Sequence, residues 1–128
     1  MTNAVRLTVQ GVARHIAMAR CSLTRETTTH VELDGYLRRV LAPGVLIERE
    51  VRLSPADRPD FVIDGRIVVE VKLKRPGNRP ETVLRQLGRY AEHDGVEAII
   101  LASNLAMTVP AALNGKPVLF VSLGRAWL

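Results

Sequence analysis

An α/β fold around a mixed sheet is what this sequence predicts, on three grounds. Two apolar runs flank Asp64-Gly65, with Phe61, Ile63, Ile67, Val69, Val71 and Leu73 filling every odd position, the pattern of a β-hairpin with a buried face. Helical stripes bracket that hairpin, with Leu33, Tyr36, Leu37, Val40 and Leu41 before it and Val83, Leu84, Leu87, Tyr90 and Ala91 after it. A second apolar run, Val96 to Ala102, follows the later helix, and a right-handed crossover lays it parallel to the hairpin's second strand. A chain of 128 residues makes one domain and buries about two-thirds of its unfolded surface.

Along the chain, residues 1–23 read ambiguously. Val5, Leu7 and Val9 alternate like a strand, while Val9, Val12, Ala13 and Ile16 fit a helix. Thr29-His30-Val31-Glu32 has the form of a capping box ahead of the first clear helix, which Pro43-Gly44 ends. Val45 to Leu53 alternates as a strand, with Glu48, Glu50 and Arg52 on its polar face. A turn-rich link, Ser54 to Pro59, leads to strands over about 60–64 and 66–74. Pro80 suits the first turn of a helix running to His93. After the strand at Val96, residues 103–113 read as a helix bent at Pro110, and Asn114-Gly115 turns into a last strand over 117–123. The order is α-β-β-β-α-β plus a C-terminal α-β unit. It divides into an N-terminal segment 1–23, a core 24–103 and an extension 104–128.

Composition narrows the function. The lone Cys21 excludes a disulfide framework, a cysteine zinc site or a four-cysteine iron–sulfur cluster, and reads as an apolar filler. No apolar run reaches membrane length, and Arg6, Arg14, His15 and Arg20 break any signal-peptide core, so a cytoplasmic location and no membrane partner are expected. A net charge of +5 favours a polyanionic partner. Basic residues gather at Arg38-Arg39, at Lys72, Lys74, Arg75 and Arg79, and at Arg85 and Arg89.

The chemistry sits on the hairpin. Asp60, Glu70 and Lys72 are charged groups set among residues that should be buried, where charges are rare unless paired, metal-bound or reactive. A two-residue turn at Asp64-Gly65 would mix the apolar odd positions with the even ones. A three-residue loop, Ile63-Asp64-Gly65, pairs residue 60 with 68, keeps the sets apart and puts Asp60, Glu70 and Lys72 on one face. Asp64 itself reads as a turn residue. Two carboxylates, with the Val71 carbonyl, suit Mg²⁺ or Mn²⁺, and Lys72 is placed to act on a bound water or on developing negative charge.

Pro59-Asp60, nine intervening residues and then Glu70-Val71-Lys72 resembles the signature of the PD-(D/E)xK nuclease superfamily. Gln86-Leu87-Gly88-Arg89-Tyr90 resembles the Gln-x-x-x-Tyr motif of its RecB-like branch, with a Holliday junction resolvase-like core as near relative. The resemblance spans about residues 26–103. It implies a restriction-endonuclease-like core, DNA as substrate and Mg²⁺ or Mn²⁺ as cofactor. Asp60 and Glu70 would be the metal ligands and Lys72 the catalytic lysine. Glu32 either joins the metal as a further acid or only closes its capping box. Gln86 and Tyr90 would position substrate, with Arg85, Arg89, Lys74 and Arg75 as phosphate contacts. His30 stands as a surface histidine or a member of the metal shell, and Glu48 and Glu50 as rival acids or a solvated face. By analogy a homodimer or larger assembly is expected, with residues 1–23 at its contact. The chain lacks the cysteines of the iron–sulfur members and any separate recognition domain. End processing and structure-specific cleavage both remain open. The alternative is a non-catalytic DNA-binding or assembly subunit that keeps the fold, and RNA stays open as a substrate.

Overall fold

Among the described residues, the alternating apolar runs pair into a six-stranded mixed sheet. The structure is a computed structural model that describes residues 6–127. Its strands are β1 (Ile47–Arg49), β2 (Phe61–Ile63), β3 (Ile67–Lys72), β4 (Ala98–Ser103), β5 (Ala112–Leu113) and β6 (Lys116–Ser122), and its helices are α1 (Val9–Met18), α2 (Glu26–Val40) and α3 (Pro80–Ala91). β1, β2 and β3 form an antiparallel meander. β4 lies parallel to β3, as the crossover argument requires, and β6 is parallel to β4.

Two apolar layers cover the sheet. Odd-numbered hairpin residues pack with α1 and α2 (Val12, Ile16, Leu33, Leu37), whereas Val62 and Val68 pack with Val83, Leu87 and Tyr90 of α3. Both faces are therefore buried, and parity matters. A one-residue slip would carry Glu70 into the largely apolar layer beneath α1 and α2, where an unpaired charge costs several kcal/mol. Among the described residues no helix is long and apolar enough to cross a membrane.

Local chemistry settles the ambiguous N-terminus. Thr8 caps α1 by accepting the Gly11 N–H at 3.0 Å, and Val9, Val12 and Ile16 form the buried stripe. The strand reading loses from Leu7 onward, and Val5 lies outside the described residues. The apolar stripe of Val9, Val12 and Ile16 is buried within this chain.

Three expectations need correction. α2 starts at Glu26, so Thr29 is inside the helix, fully buried, with its hydroxyl donating to the carbonyls of Arg25 and Ser22 rather than capping Glu32. The hairpin loop is Asp64-Gly65-Arg66, not Ile63-Asp64-Gly65. Phe61 pairs with Val69 and Ile63 with Ile67, and both Asp64 (φ 56°) and Gly65 (φ 69°) are left-handed. The C-terminal unit holds no helix over 103–113. Pro110 would break an α-helix after barely two turns, and Leu105, Met107 and Val109 instead pack alternately against the α3-side core. That segment ends in β5, joined to β6 by Asn114 (φ 50°) and Gly115 (φ 75°), the two positive-φ residues a tight hairpin needs. Less drastically, the strand expected over 45–53 is paired only over β1, because Glu50 takes φ 54° and turns the chain.

Candidate active site

The corrected register places Asp60 directly opposite Glu70, one step beyond the last paired residues of β2. Asp60 N–H donates to Glu70 Oε1 at 3.0 Å. Backbone pairing between β2 and β3 stops at Phe61–Val69. The Asp60 side chain fills the notch beyond it, and Oδ2 accepts the Val71 N–H at 2.7 Å. The Val71 carbonyl projects from the same strand edge as its N–H, toward this notch.

Each helical layer contributes one group. From α3, the Tyr90 hydroxyl donates to Glu70 Oε2 at 2.7 Å. From α2, His30 Nε2 lies 3.2 Å from Asp60 Oδ2, with its ring set edge-on to Phe61. That nitrogen is fully buried, is not aligned for a hydrogen bond with the carboxylate, and has no other partner. Lys72 follows on β3, two residues after Glu70, with Nζ 4.0 Å from Glu70 Oε2.

Electrostatics follow from burial. Glu70 is only 2% exposed. Desolvation, followed by the Asp60 charge and contact with the Asp60 carboxyl, pushes it up to about 8, with Lys72 and Tyr90 pulling weakly the other way. Burial also opposes charge on Asp60, but contacts from His30 and Glu70 and the Val71 N–H outweigh it and hold Asp60 below the usual carboxylate range. Without a cation the pair therefore keeps one proton at neutral pH, carried by Glu70. Burial, then the neighbouring Glu70, moves the Tyr90 hydroxyl upward, so it stays a donor.

A buried carboxyl that holds its proton beside a charged one marks where a cation would be welcome, and the His30 nitrogen borders the same place. Among the described residues no three His, Cys, Asp or Glu side chains stand so as to hold a metal ion together. Mg²⁺ does not need that, since one or two carboxylates plus waters and a phosphate suffice. The donor set fits such an ion.

The other expected residues divide. Glu32 does not join: its carboxylate accepts the Ser22 N–H at 2.9 Å and lines a cavity with Arg20, Cys21 and Tyr36. A residue two positions from His30 points to the other side of the helix, so the two could not both reach Asp60. Cys21 is buried and free, and burial, then Glu32, raises its thiol to about 11, which makes it an inert filler. Gln86 lies one turn before Tyr90, half-buried, and Arg85 is exposed. Arg89 is exposed but its Nε donates to Asp57 at 3.0 Å, so that edge of the guanidinium is not free for phosphate. Lys74 and Arg75 are exposed beyond β3 and line an open cavity of about 660 Å³ with Pro76, Arg79, Pro80 and Leu105. Arg75 also borders a cavity of about 390 Å³ that contains His30, Thr24 and Thr27. Glu48 is half-buried on β1. Glu50 is exposed and meets Asp60 through its backbone N–H, not its carboxylate.

Two residues at this end of the sheet carried no expectation. Glu26 Oε2 accepts the Leu73 N–H (3.1 Å) and Asn78 Nδ2 (2.7 Å), fixing the chain just past Lys72. Asp57 is buried against α3. The signal for the α2 side was present: Glu26, His30, Leu33 and Leu37 share one helical stripe once the helix starts at Glu26. Compared with models of known protein families, with curated proteins and with solved structures, the chain matches none of them.

Proposed function

We propose that this chain is a metal-dependent phosphodiesterase acting on DNA, built on a restriction-endonuclease-like core. The observation that carries the reading is the Asp60–Glu70 pair, set opposite each other where the hairpin pairing ends, with Glu70 buried and Lys72 two residues further along β3 on the same face. A structural ion pair would bring one carboxylate and one cation together. Two carboxyl groups set against each other, one kept protonated by burial, are an arrangement that clusters at functional sites. The α2-β1-β2-β3-α3-β4 order and the antiparallel meander followed by a parallel crossover support the core assignment.

Asp60, Glu70 and the Val71 carbonyl would hold Mg²⁺ or Mn²⁺, which would supply activation of water and neutralisation of phosphate charge, with His30 bordering the site. Tyr90 and the Asp60 N–H each take one Glu70 oxygen and so fix its carboxylate plane. Lys72, mostly buried yet near the surface of the notch, offers an ammonium to the negative charge that builds on the phosphate. The cations Lys74, Arg75 and Arg79 continue outward from Lys72 and would take flanking phosphates.

Cleavage of plasmid and of linear single- and double-stranded DNA with Mg²⁺, Mn²⁺ or EDTA tests this. Wild type should cut only with metal, and Asp60→Ala and Lys72→Ala should each lower the rate about 100-fold or more with folding intact. Equal cutting by wild type and variants would trace to a contaminant. Binding of DNA without any cutting would favour the non-catalytic subunit.

A further inference from the structure

Asp60 lies just outside the paired part of β2, a strand of three residues; its carbonyl accepts the Glu50 N–H and its N–H donates to Glu70 Oε1, and neither bond holds the turn at residues 54–59 that leads into it. Something else must fix the irregular segment that delivers it. Three residues upstream, Asp57 is buried, and its two carboxylate oxygens are met by the last turn of α3 and by the turn just after it. Arg89 Nε donates to Oδ1 at 3.0 Å and His93 Nε2 lies 2.9 Å from Oδ2. The local turn closes on the same residue. Leu53 N–H donates to the Asp57 carbonyl at 2.8 Å, and Asp57 N–H reaches Ser54 Oγ at 3.2 Å. The buried Pro59 stiffens the step from Asp57 to Asp60.

Both ends of this clamp adjoin the carboxylate pair. Asp57 leads into Asp60, whereas Arg89 and His93 bracket Tyr90, whose hydroxyl holds Glu70. We infer that Asp57 is a positioning residue: through Arg89 and His93 it locks the segment carrying Asp60 to the helix carrying Tyr90. The two carboxylates are thereby aimed at each other from opposite sides of the notch. This assigns Arg89 to holding the site rather than to a phosphate. The inference rests on the Asp60–Glu70 pair being the working site proposed above, but its readout does not need turnover.

The reporter is the Val71 amide, whose acceptor is Asp60 Oδ2. Amide exchange followed by NMR should show Val71 exchanging about tenfold faster in Asp57→Ala and in Arg89→Ala, after normalising to Ile100 in the centre of β4. Asp60→Ala should give the same acceleration, and adding Asp57→Ala to it should give no more. Arg89→Lys should restore part of the protection. In cleavage assays Arg89→Ala should lower kcat while leaving KM and the salt dependence of DNA binding as in wild type. Equal acceleration at Val71 and Ile100 would mean general destabilisation and would overturn the assignment. So would an unmoved Val71 with weaker, less salt-dependent DNA binding in Arg89→Ala. Should Asp57→Ala not fold, Arg89→Ala and His93→Gln act at the half-exposed end of the clamp and carry the same comparison. A wild type that cuts nothing while Val71 responds as expected would leave the clamp standing and remove the nuclease reading.

Discussion

Glu70 sits between Asp60, Tyr90 and Lys72 with almost no water, and this fixes how the protein answers pH. Its folded-state proton is released only at about 8, against an ordinary 4.5. An acid whose value is raised on folding contributes stability that is full below its ordinary value and is lost as pH rises through the raised one. The metal-free protein should therefore lose stability between about pH 5 and 8, with a lower melting temperature at the upper end. Asp60 and Asp57 are shifted down, so their shares vanish only on acidification below 3.8 and do not interfere. Glu70→Gln should flatten the profile in EDTA, whereas a sloping variant or a flat wild type would show that Glu70 does not carry this proton. Tyr90 gives a companion test. Its hydroxyl meets a carboxyl that is charged only at high pH, and a bond to a charged group contributes about 1.5–3 kcal/mol. Tyr90→Phe should thus destabilise the protein more at pH 9 than at pH 6, read by denaturant unfolding.

At the level of elements, the hairpin decides whether a site exists at all. Its loop puts Gly65 at φ 69° with open space around the missing Cβ, so a side chain there would meet no steric neighbour and suffer only backbone strain. Gly65→Val should cost about 1–3 kcal/mol by that route, and Gly65→Asn distinctly less, as measured by urea unfolding. The parity of the hairpin was legible in the sequence because any even offset keeps Phe61, Ile63, Ile67 and Val69 together. The choice between pairing residue 60 with 68 or with 70 was not legible, since both satisfy burial. It turned on Asp64 accepting a left-handed conformation, with its carboxylate tied to Arg66 Nε at 2.9 Å. α2 failed in a similar way. The Thr29 box was plausible by itself, but Thr29 found better acceptors in the preceding turn, and moving the start to Glu26 traded Glu32 for His30. Residues 103–113 were misread because Ala, Leu and Met favour helix, while the alternation of Leu105, Met107 and Val109 against the α3 layer was the stronger signal. Strands buried on both faces, such as β4, were plain from their apolar runs.

The whole molecule carries a net charge of +5, and one concentration of it lies where β3 leaves the sheet. Lys74, Arg75 and Arg79 rim the 660 Å³ cavity there, and Arg75 continues the rim to the cavity beside His30. Arg75 is paired with Glu26 at 3.5 Å, but its side chain is 59% exposed, so the pair is weak and gives way readily to a phosphate. A chain that engages DNA along this rim must release counterions in proportion to the phosphates it neutralises. Affinity measured by fluorescence anisotropy across a KCl series should therefore fall steeply with salt. Each of Lys74→Ala, Arg75→Ala and Arg79→Ala should weaken binding and reduce the log–log slope by about 0.7–0.9. Arg39→Ala, at the far end of α2 and stacked on Tyr36, is the matched control and should leave the slope unchanged. Equal loss from Arg39→Ala would mean that charge acts through its total and not its place. An unchanged slope in all three rim variants would put the DNA on another surface. Because the assay needs neither metal nor turnover, it separates where the nucleic acid lies from whether the Asp60–Glu70 pair cuts it.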